Sequence, residues 1–294
     1  MNALASAAPT RELAGSFARN RLALAALIVL GAIILAAVLA PLISPQNPYN
    51  LAELDILDAK LEPGAQSADG KTFLLGTDEQ GRDMLSAILY GLRISLGVGV
   101  ISTVIALTLG MAIGLAAGYA GGWIDAIIMR IVDLQLSFPS ILIALVLLAV
   151  LGQGVDKIVI ALVTVQWAYY ARTVRSTALV EKRKEYVDAA LCLAYSKWRI
   201  LYRHILPNCL PPLIVVATVQ VAHAIALEAT LSFLGLGMPI TSPSLGLLIA
   251  NGYAHLLSGR YWMSFFPGVA LLATIVMINL VGDHLRDVLN PRLH

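Results

Sequence analysis

The sequence predicts an all-α fold: a polytopic membrane helical bundle with six transmembrane helices and both termini in the cytoplasm. Of its 294 residues, 59% are hydrophobic and 13% are charged, whereas a soluble domain carries about 25% charged residues. Six apolar stretches are long enough, or nearly so, to cross a hydrocarbon core of about 30 Å. Such runs exclude a membrane barrel, whose strands need only about ten residues. The predicted spans are Leu22–Ile43, Ile94–Ala117, Leu134–Leu151, Ile158–Leu179, Leu213–Gly235 and Phe265–Leu285.

The first apolar stretch follows Arg19 and Arg21, an arrangement that secretion signals share. The apolar core of a signal peptide is about 7 to 15 residues long, but this stretch has 22. We therefore interpret it as a retained transmembrane helix.

Loop charges predict the side of the membrane on which each loop lies, because basic residues concentrate in short cytoplasmic loops. The N-terminal tail, with Arg11, is basic, whereas residues 44–90 hold eight acids and three bases. The densest basic cluster begins in the last part of span four, continues towards span five, and comprises Arg172, Arg175, Lys182, Arg183, Lys184, Lys197, Arg199 and Arg203. Both termini and residues 180–208 are therefore expected inside, and residues 44–90 and 237–262 outside.

Two sequence features resemble cofactor sites, but their residues do not have the spacing that such sites require. Gly64 and Gly70 precede Lys71 as in a phosphate-binding loop, but five residues separate the glycines where that loop needs four. Cys192 and Cys209 lack the spacing of a metal site and are expected to be free thiols. The sequence thus predicts no nucleotide, metal or other cofactor bound by this chain.

Small residues in span two predict a close helix contact. Gly110, Gly114 and Gly118 recur every fourth residue, preceded by Ala106, so one helix face is nearly flat. We interpret this face as a packing surface rather than a substrate site. In span three, Pro139 is expected to kink the helix.

Glu228 lies well inside span five, where a charged residue costs about 2.5 to 3.5 kcal/mol on insertion scales. His223 precedes it by five residues and Ser232 follows it by four. One hypothesis is that these residues line or gate a route through the bundle. The alternative, weighted equally, is a buried hydrogen bond between helices.

The basic loop reads "EYVDAALCLAYSKWRILYRHILPNCLPP" and predicts two short helices, Glu185–Leu193 and Lys197–Ile205, with Ser196 as an N-cap. The second helix is expected to stop at three prolines, Pro207, Pro211 and Pro212. An amphipathic pair with small residues at Ala189 and Ala190 is typical of a docking surface. Binding of anionic lipid headgroups is an alternative.

This loop resembles the EAA motif of ABC-importer permeases. The matching residues are Asp188, Ala189, Ala190, Ala194, Ile205, Leu206 and Pro207. The flanking stretches "LGTDEQGRDMLSAILYGLRISL", "LSFLGLG" and "GDHLRDVLNPRL" resemble the C-type permease subunit of dipeptide/oligopeptide importers. The resemblance covers almost the whole chain.

The resemblance implies a multi-pass permease of the bacterial inner membrane that forms half of the translocation pathway for peptides or related small solutes and is not an enzyme. Residues 1–90 would hold the first span and external loop, and residues 91–294 the permease domain. Glu185 and the motif residues would couple to ATP hydrolysis by separate subunits. The implied partners are a second related permease, two ATP-binding subunits and an extracytoplasmic substrate-binding protein, with membrane lipid around the chain and no nucleic acid.

Two residues depart from the motif. Asp188 stands where the family has Glu, and Ala194 where it has Gly. Because alanine is disfavoured at positive φ, we infer that the turn at Ala194 is helical or otherwise tolerates a Cβ.

Two other classes of protein fit the sequence less well. A membrane-embedded enzyme would need a nucleophile–base or metal-ligand constellation, which no span carries. A stand-alone secondary transporter is compatible with a midplane charge such as Glu228, but it needs no cytoplasmic docking loop.

Overall fold

A computed structural model of the chain describes residues 19–50, 54–67 and 70–289. The N-terminal tail with Arg11, used above to orient the chain, lies outside the described residues. Within the described ranges the only β pairings are two isolated bridges. The helices are α1 Arg21–Val38, α2 Ala40–Ile43, α3 Met84–Ala120, α4 Gly122–Ser137, α5 Ser140–Leu151, α6 Val155–Glu181, α7 Glu185–Cys192, α8 Lys197–Ile200, α9 Leu206–Phe233, α10 Leu245–Tyr253 and α11 Trp262–Leu289.

The mostly helical membrane fold is confirmed. Among the described residues, four helices are long and apolar enough to cross a membrane: α1, α3, the combined helix Lys197–Phe233, and α11. The pair α4 and α5 would make a fifth span if the two act together. α6 is 27 residues long but is less apolar than these helices.

The predicted kinked helix over Leu134–Leu151 is wrong, because the chain breaks there completely. α4 ends at Ser137, and α4 and α5 are bent by 89° at the break. Phe138 is extended, with φ −94° and ψ 142°, the conformation imposed on a residue that precedes proline. Pro139 then caps α5 from outside the helix.

The predicted stop at the three prolines after residue 206 is also wrong. α8 runs through a π turn, Leu201–Ile205, directly into α9. Pro207 lies in the first turn of α9, where a missing N–H is tolerated. The Asn208 side chain donates to His204 O at 2.6 Å, so a side-chain donor helps to satisfy the carbonyls around the break in the ladder.

α3 and α6 approach each other closely along the face that carries the span-two glycines. A Cβ added to Gly110 would lie 2.6 Å from Tyr170 Cβ, and one on Gly114 would lie 2.8 Å from Ala171 Cα. At Gly118 the corresponding distance to Ala178 Cβ is 3.1 Å. Only residues without a side chain fit at the first two positions, because the opposing atoms are backbone or Cβ atoms that cannot move aside.

The segment before α3 is held by a buried ion pair. Arg82 is 1% exposed, and its Nε donates to Asp78 Oδ2 at 2.6 Å. Arg82 Nη1 also donates to Ile240 O at 3.2 Å. The segments 76–83 and 237–244 are therefore joined to each other.

Candidate functional site

α7, the first helix of the loop at residues 180–208, presents a small acidic surface. Glu185 and Asp188 lie in its first turn, where carboxylates interact favourably with the positive end of the helix dipole. Val187 and Ala190 are buried, whereas Asp188 and Ala189 are exposed. The exposed face thus combines a carboxylate with a small residue that permits close approach.

The turn after α7 is a Schellman motif centred on Ala194. Tyr195 N–H donates to Ala190 O at 3.1 Å, and Ala194 N–H donates to Leu191 O at 2.9 Å, the two hydrogen bonds that define the motif. Ala194 has a φ of 55°, in the left-handed region that glycine favours. Of the two alternatives inferred for this turn, the helical one is therefore wrong, and the turn instead accommodates a Cβ at positive φ. Ala194 adopts this conformation, which is unfavourable for a residue with a Cβ, because the turn then satisfies the last carbonyl groups of α7.

Polar side chains anchor the loop to the end of α6. Lys184 Nζ lies 2.7 Å from Glu181 Oε1, and the Tyr186 hydroxyl donates to Glu181 Oε2 at 2.7 Å. Burial, together with the hydrogen bond to that carboxylate, raises the pKa of Tyr186 to about 12. The hydroxyl therefore remains a donor at neutral pH.

An apolar cluster attaches the loop to the bundle. Val187 and Ala190 of α7 share this cluster with α3, α6, α8 and α9, whose members include Leu115, Val174, Ala178, Ile200, Leu201, Ile205, Cys209 and Leu213. Side chains packed at interior density transmit displacement instead of absorbing it. The loop is therefore packed against the bundle through these side chains.

The motif residues divide by exposure. Ala190 and Ile205 are buried and Leu206 is half-buried, so these three support the loop from inside. The others face outward and form what we call the loop surface: Glu185, Asp188, Ala189, Ala194 and Pro207.

Glu228 is fully buried, with 0% exposure. Ser95 Oγ donates to its Oε2 at 2.7 Å, and Ser232 Oγ donates to its Oε1 at 2.8 Å. Ser244, which caps α10, also interacts with the carboxyl. One side chain thus joins α3, α9 and the start of α10, and its oxygens are satisfied. We call Glu228 and its three serines the serine hub.

His223 does not join the serine hub. It is exposed on α9, and five positions along a helix place it about 140° around the axis from Glu228. The structure therefore brings Glu228 and Ser232 together and leaves His223 on another face.

Two glutamines that sequence reasoning missed form a polar seam inside the bundle. Gln166 is 0% exposed; its Nε2 donates to Gln220 O at 3.2 Å, and its Oε1 lies 3.4 Å from Thr103 Oγ1. The sequence feature that could have identified them is a single glutamine in each of two otherwise apolar runs. Burying a glutamine side chain costs free energy unless its amide is hydrogen-bonded.

A cavity of about 1180 Å³ lies between α6, α9 and α11. Gln220 lines it, together with three charged residues, Glu181, Asp283 and Arg286. Much of the remaining wall is valine and proline. The arrangement can hold a small polar molecule with apolar parts.

Among the described residues, no group of three or more His, Cys, Asp or Glu side chains is placed to hold a metal ion. Cys192 is exposed, Cys209 is buried, and both are free thiols.

Comparisons with known families match most of the chain. The family described as binding-protein-dependent transport system inner membrane component matches residues 110–294. The N-terminal TM domain of oligopeptide transport permease C matches residues 9–63.

Curated relatives align over nearly the full length. The dipeptide transport system permease protein DppC of Escherichia coli strain K12 is 42% identical over 286 residues, covering 97% of this chain and 94% of that protein. The di/tripeptide transport system permease protein DppC of Pseudomonas aeruginosa is 37% identical over 286 residues, covering 97% and 93%.

A solved structure supports the fold. The inward-facing MetNI methionine ABC transporter contains a chain that superposes with a TM-score of 0.58 at 18% identity, covering 70% of this chain and 98% of that chain. Together with the matches in sequence, which cover both the apolar helices and the loop surface, this likeness leads to one assignment. The chain belongs to the family of binding-protein-dependent transport system inner membrane components and is a multi-pass permease component of an ABC importer.

Proposed function

We propose that this permease forms half of a translocation pathway for peptides or related small solutes and couples that pathway to ATP hydrolysis by separate subunits. The observation that carries the proposal is the loop surface, an exposed set of residues with an acidic first turn, on a loop whose apolar side chains pack against the bundle. When another protein binds such a patch and moves, the displacement can be transmitted to the helices.

The substrate class is inferred from relatives. Two proteins that align over 97% of this chain are named for dipeptide and di/tripeptide transport. We propose that this chain conducts solutes of the same kind and catalyses no reaction itself. ATP would be used only by the partner subunits.

The proposed assembly contains a second related permease, two ATP-binding subunits at the loop surface and an extracytoplasmic substrate-binding protein on the opposite side. We propose six transmembrane helices, with α4 and α5 together as the third and α6 as the fourth, and with both termini cytoplasmic. At about 1.5 Å per residue, α6 is about 40 Å long, which is sufficient to span. Residues 1–90 and 91–294 would be the two domains.

We propose different roles for the residues of span five. His223, exposed on α9, would face the pathway. Glu228 and Ser232 would hold the outer ends of three helices together through the serine hub. The span-two glycines, Gly110, Gly114 and Gly118, would keep α3 and α6 moving as one body.

The test is a charge reversal on the loop surface. Asp188→Arg is expected to lower co-purification of the ATP-binding subunits by about tenfold, which corresponds to about 1.4 kcal/mol. Asp188→Asn separates docking from helix stability, because it removes the charge without placing a cation in the first turn of α7. Glu62→Arg, at an exposed position of the external loop, is the matched control.

The expected order of association is wild type and Glu62→Arg first, then Asp188→Asn, then Asp188→Arg. Uptake by the reconstituted complex should fall in the same order. Intact association and uptake in Asp188→Arg would contradict the docking role.

A further inference from the structure

A groove runs along the last part of α3, between that helix and the start of the helix Lys197–Phe233. Residue pairs at intervals of four, which share one face of a helix, line its α3 side: Met111, Ala112, Leu115, Ala116, Tyr119 and Ala120. At about 1.5 Å per residue this wall is about 14 Å long. The hydrocarbon core of a membrane is about 30 Å thick, so the groove matches the depth of one leaflet.

The groove has an apolar interior and an aromatic rim. Leu201 and Leu206 line it opposite α3. Trp198 is 69% exposed and Tyr202 is 56% exposed, and their rings stack with centroids 5.8 Å apart. Tryptophan and tyrosine are enriched where a membrane protein meets lipid headgroups, because these rings have an apolar body and a polar tip. The volume of the groove, about 480 Å³, is within the range of about 300 to 1,000 Å³ of small-molecule sites.

Two lysines make one end of the groove positive. Lys197 lines it, and Lys182 lies beside it, with Nζ 2.8 Å from Tyr119 O and 5.2 Å from the centroid of the Tyr119 ring. None of the ion pairs formed among the described residues includes either lysine. The positive charge at this end is therefore complementary to an external anion, and basic pockets between membrane helices bind anionic lipid headgroups.

We propose that this groove binds one anionic phospholipid, with an acyl chain along α3 and the phosphate at Lys197 and Lys182. A phospholipid supplies an apolar chain and an anion in one molecule, whereas an apolar helix of a neighbouring subunit supplies no anion for the lysines. The bound lipid would fill the space between α3 and the helix Lys197–Phe233. The proposal needs only that the chain is a membrane permease, so it does not depend on which solute is conducted.

The experiment titrates lipid into the full-length chain, purified in detergent with the subunits that accompany it, and measures binding by native mass spectrometry. Phosphatidylglycerol is the anionic probe, and phosphatidylcholine with the same acyl chains has no net charge. Lys197→Glu reverses the charge at the headgroup, and Lys71→Glu makes the same change at an exposed position outside the groove. Ala116→Phe fills the groove, and Ala149→Phe adds the same ring at an exposed position of α5.

We expect the wild type and both control variants to bind phosphatidylglycerol at least tenfold more tightly than phosphatidylcholine. Lys197→Glu should lose this preference, and Ala116→Phe should weaken binding of both lipids at least tenfold. Equal affinity of the wild type for the two lipids would overturn the proposal, as would an unchanged preference in Lys197→Glu. Melting temperatures verify that the variants are folded, and the charge reversal decides the question if Ala116→Phe does not fold.

Photocrosslinking in membranes identifies the occupant of the groove directly. A benzophenone side chain in place of Tyr202, which lines the groove, should form its main adduct with a phospholipid. An adduct with a second copy of this chain or with another subunit, and none with lipid, would overturn the proposal.

Discussion

Replacing Ala194 by glycine is expected to stabilise the turn after α7. Ala194 has a φ of 55°, and an L-residue with a Cβ pays about 1 to 2 kcal/mol in that region. Glycine removes this cost but gains about 0.4 to 1 kcal/mol of unfolded-state freedom. The difference leaves a net stabilisation of about 0.5 to 1 kcal/mol.

Amide hydrogen exchange in the purified complex measures this change locally. The N–H groups of Ala194 and Tyr195 close the Schellman motif, so they exchange when the turn opens. Since about 1.4 kcal/mol is a tenfold change in an equilibrium constant, exchange at these two amides should slow by about two- to fivefold in Ala194→Gly.

Ala189 supplies the matched control, because it is an exposed alanine of α7 itself. Ala189→Gly places the same substitution in regular helix, where it costs about 1 kcal/mol, so exchange across α7 should accelerate by about fivefold. The two substitutions must have opposite signs. Faster exchange at the turn in Ala194→Gly, comparable to that in Ala189→Gly, would refute the left-handed turn and the strain attributed to it.

Two further predictions concern the bundle. Gly114→Ala places a Cβ 2.8 Å from Ala171 Cα and should lower the melting temperature of the complex through an overpacking cost of about 1 to 3 kcal/mol. Gly97→Ala has no atom within 4 Å of the added Cβ and gains helix propensity, so it should not lower the melting temperature. Equal melting temperatures of the two variants would contradict the close contact. Glu228→Leu leaves the buried serine hydroxyls without their acceptor, at a cost of about 1 to 3 kcal/mol each. In the same thermal assay it should therefore lower the melting temperature of the complex more than Glu228→Gln does. Equal effects of the two substitutions would contradict the serine hub.

The apolar runs predicted the helices well because lipid leaves a spanning chain little choice except helix. Leu213–Gly235 and Phe265–Leu285 fall within or nearly within α9 and α11. The breaks were harder to predict. Pro139 ends a helix because the residue before it can become extended, whereas Pro207 is accommodated in a continuous helix by the π turn before it.

The partners of the buried polar residues could not be predicted from local pattern. Ser95 lies 133 residues from Glu228, and nothing near either residue indicates that they meet. Glu228 stood out because a charge in an apolar run is rare. Gln166 and Gln220 did not stand out, because an uncharged amide disturbs the apolar pattern less than a charge does. They are nevertheless buried in the bundle, as Glu228 is.

The continuity of the helix Lys197–Phe233 changes how the loop surface relates to the serine hub. A stop at Pro207 would have put a loop between them, and a loop absorbs displacement by changing its own dihedral angles. The observed helix instead begins beside the loop surface at its N-cap, Ser196, and carries Glu228 near its other end. Its 37 residues extend about 55 Å at 1.5 Å per residue, enough to cross the membrane. If the loop surface docks as proposed, a displacement of the helix Lys197–Phe233 would reach the hub that holds α3 and α10 through continuous helix, as coupling across the membrane requires.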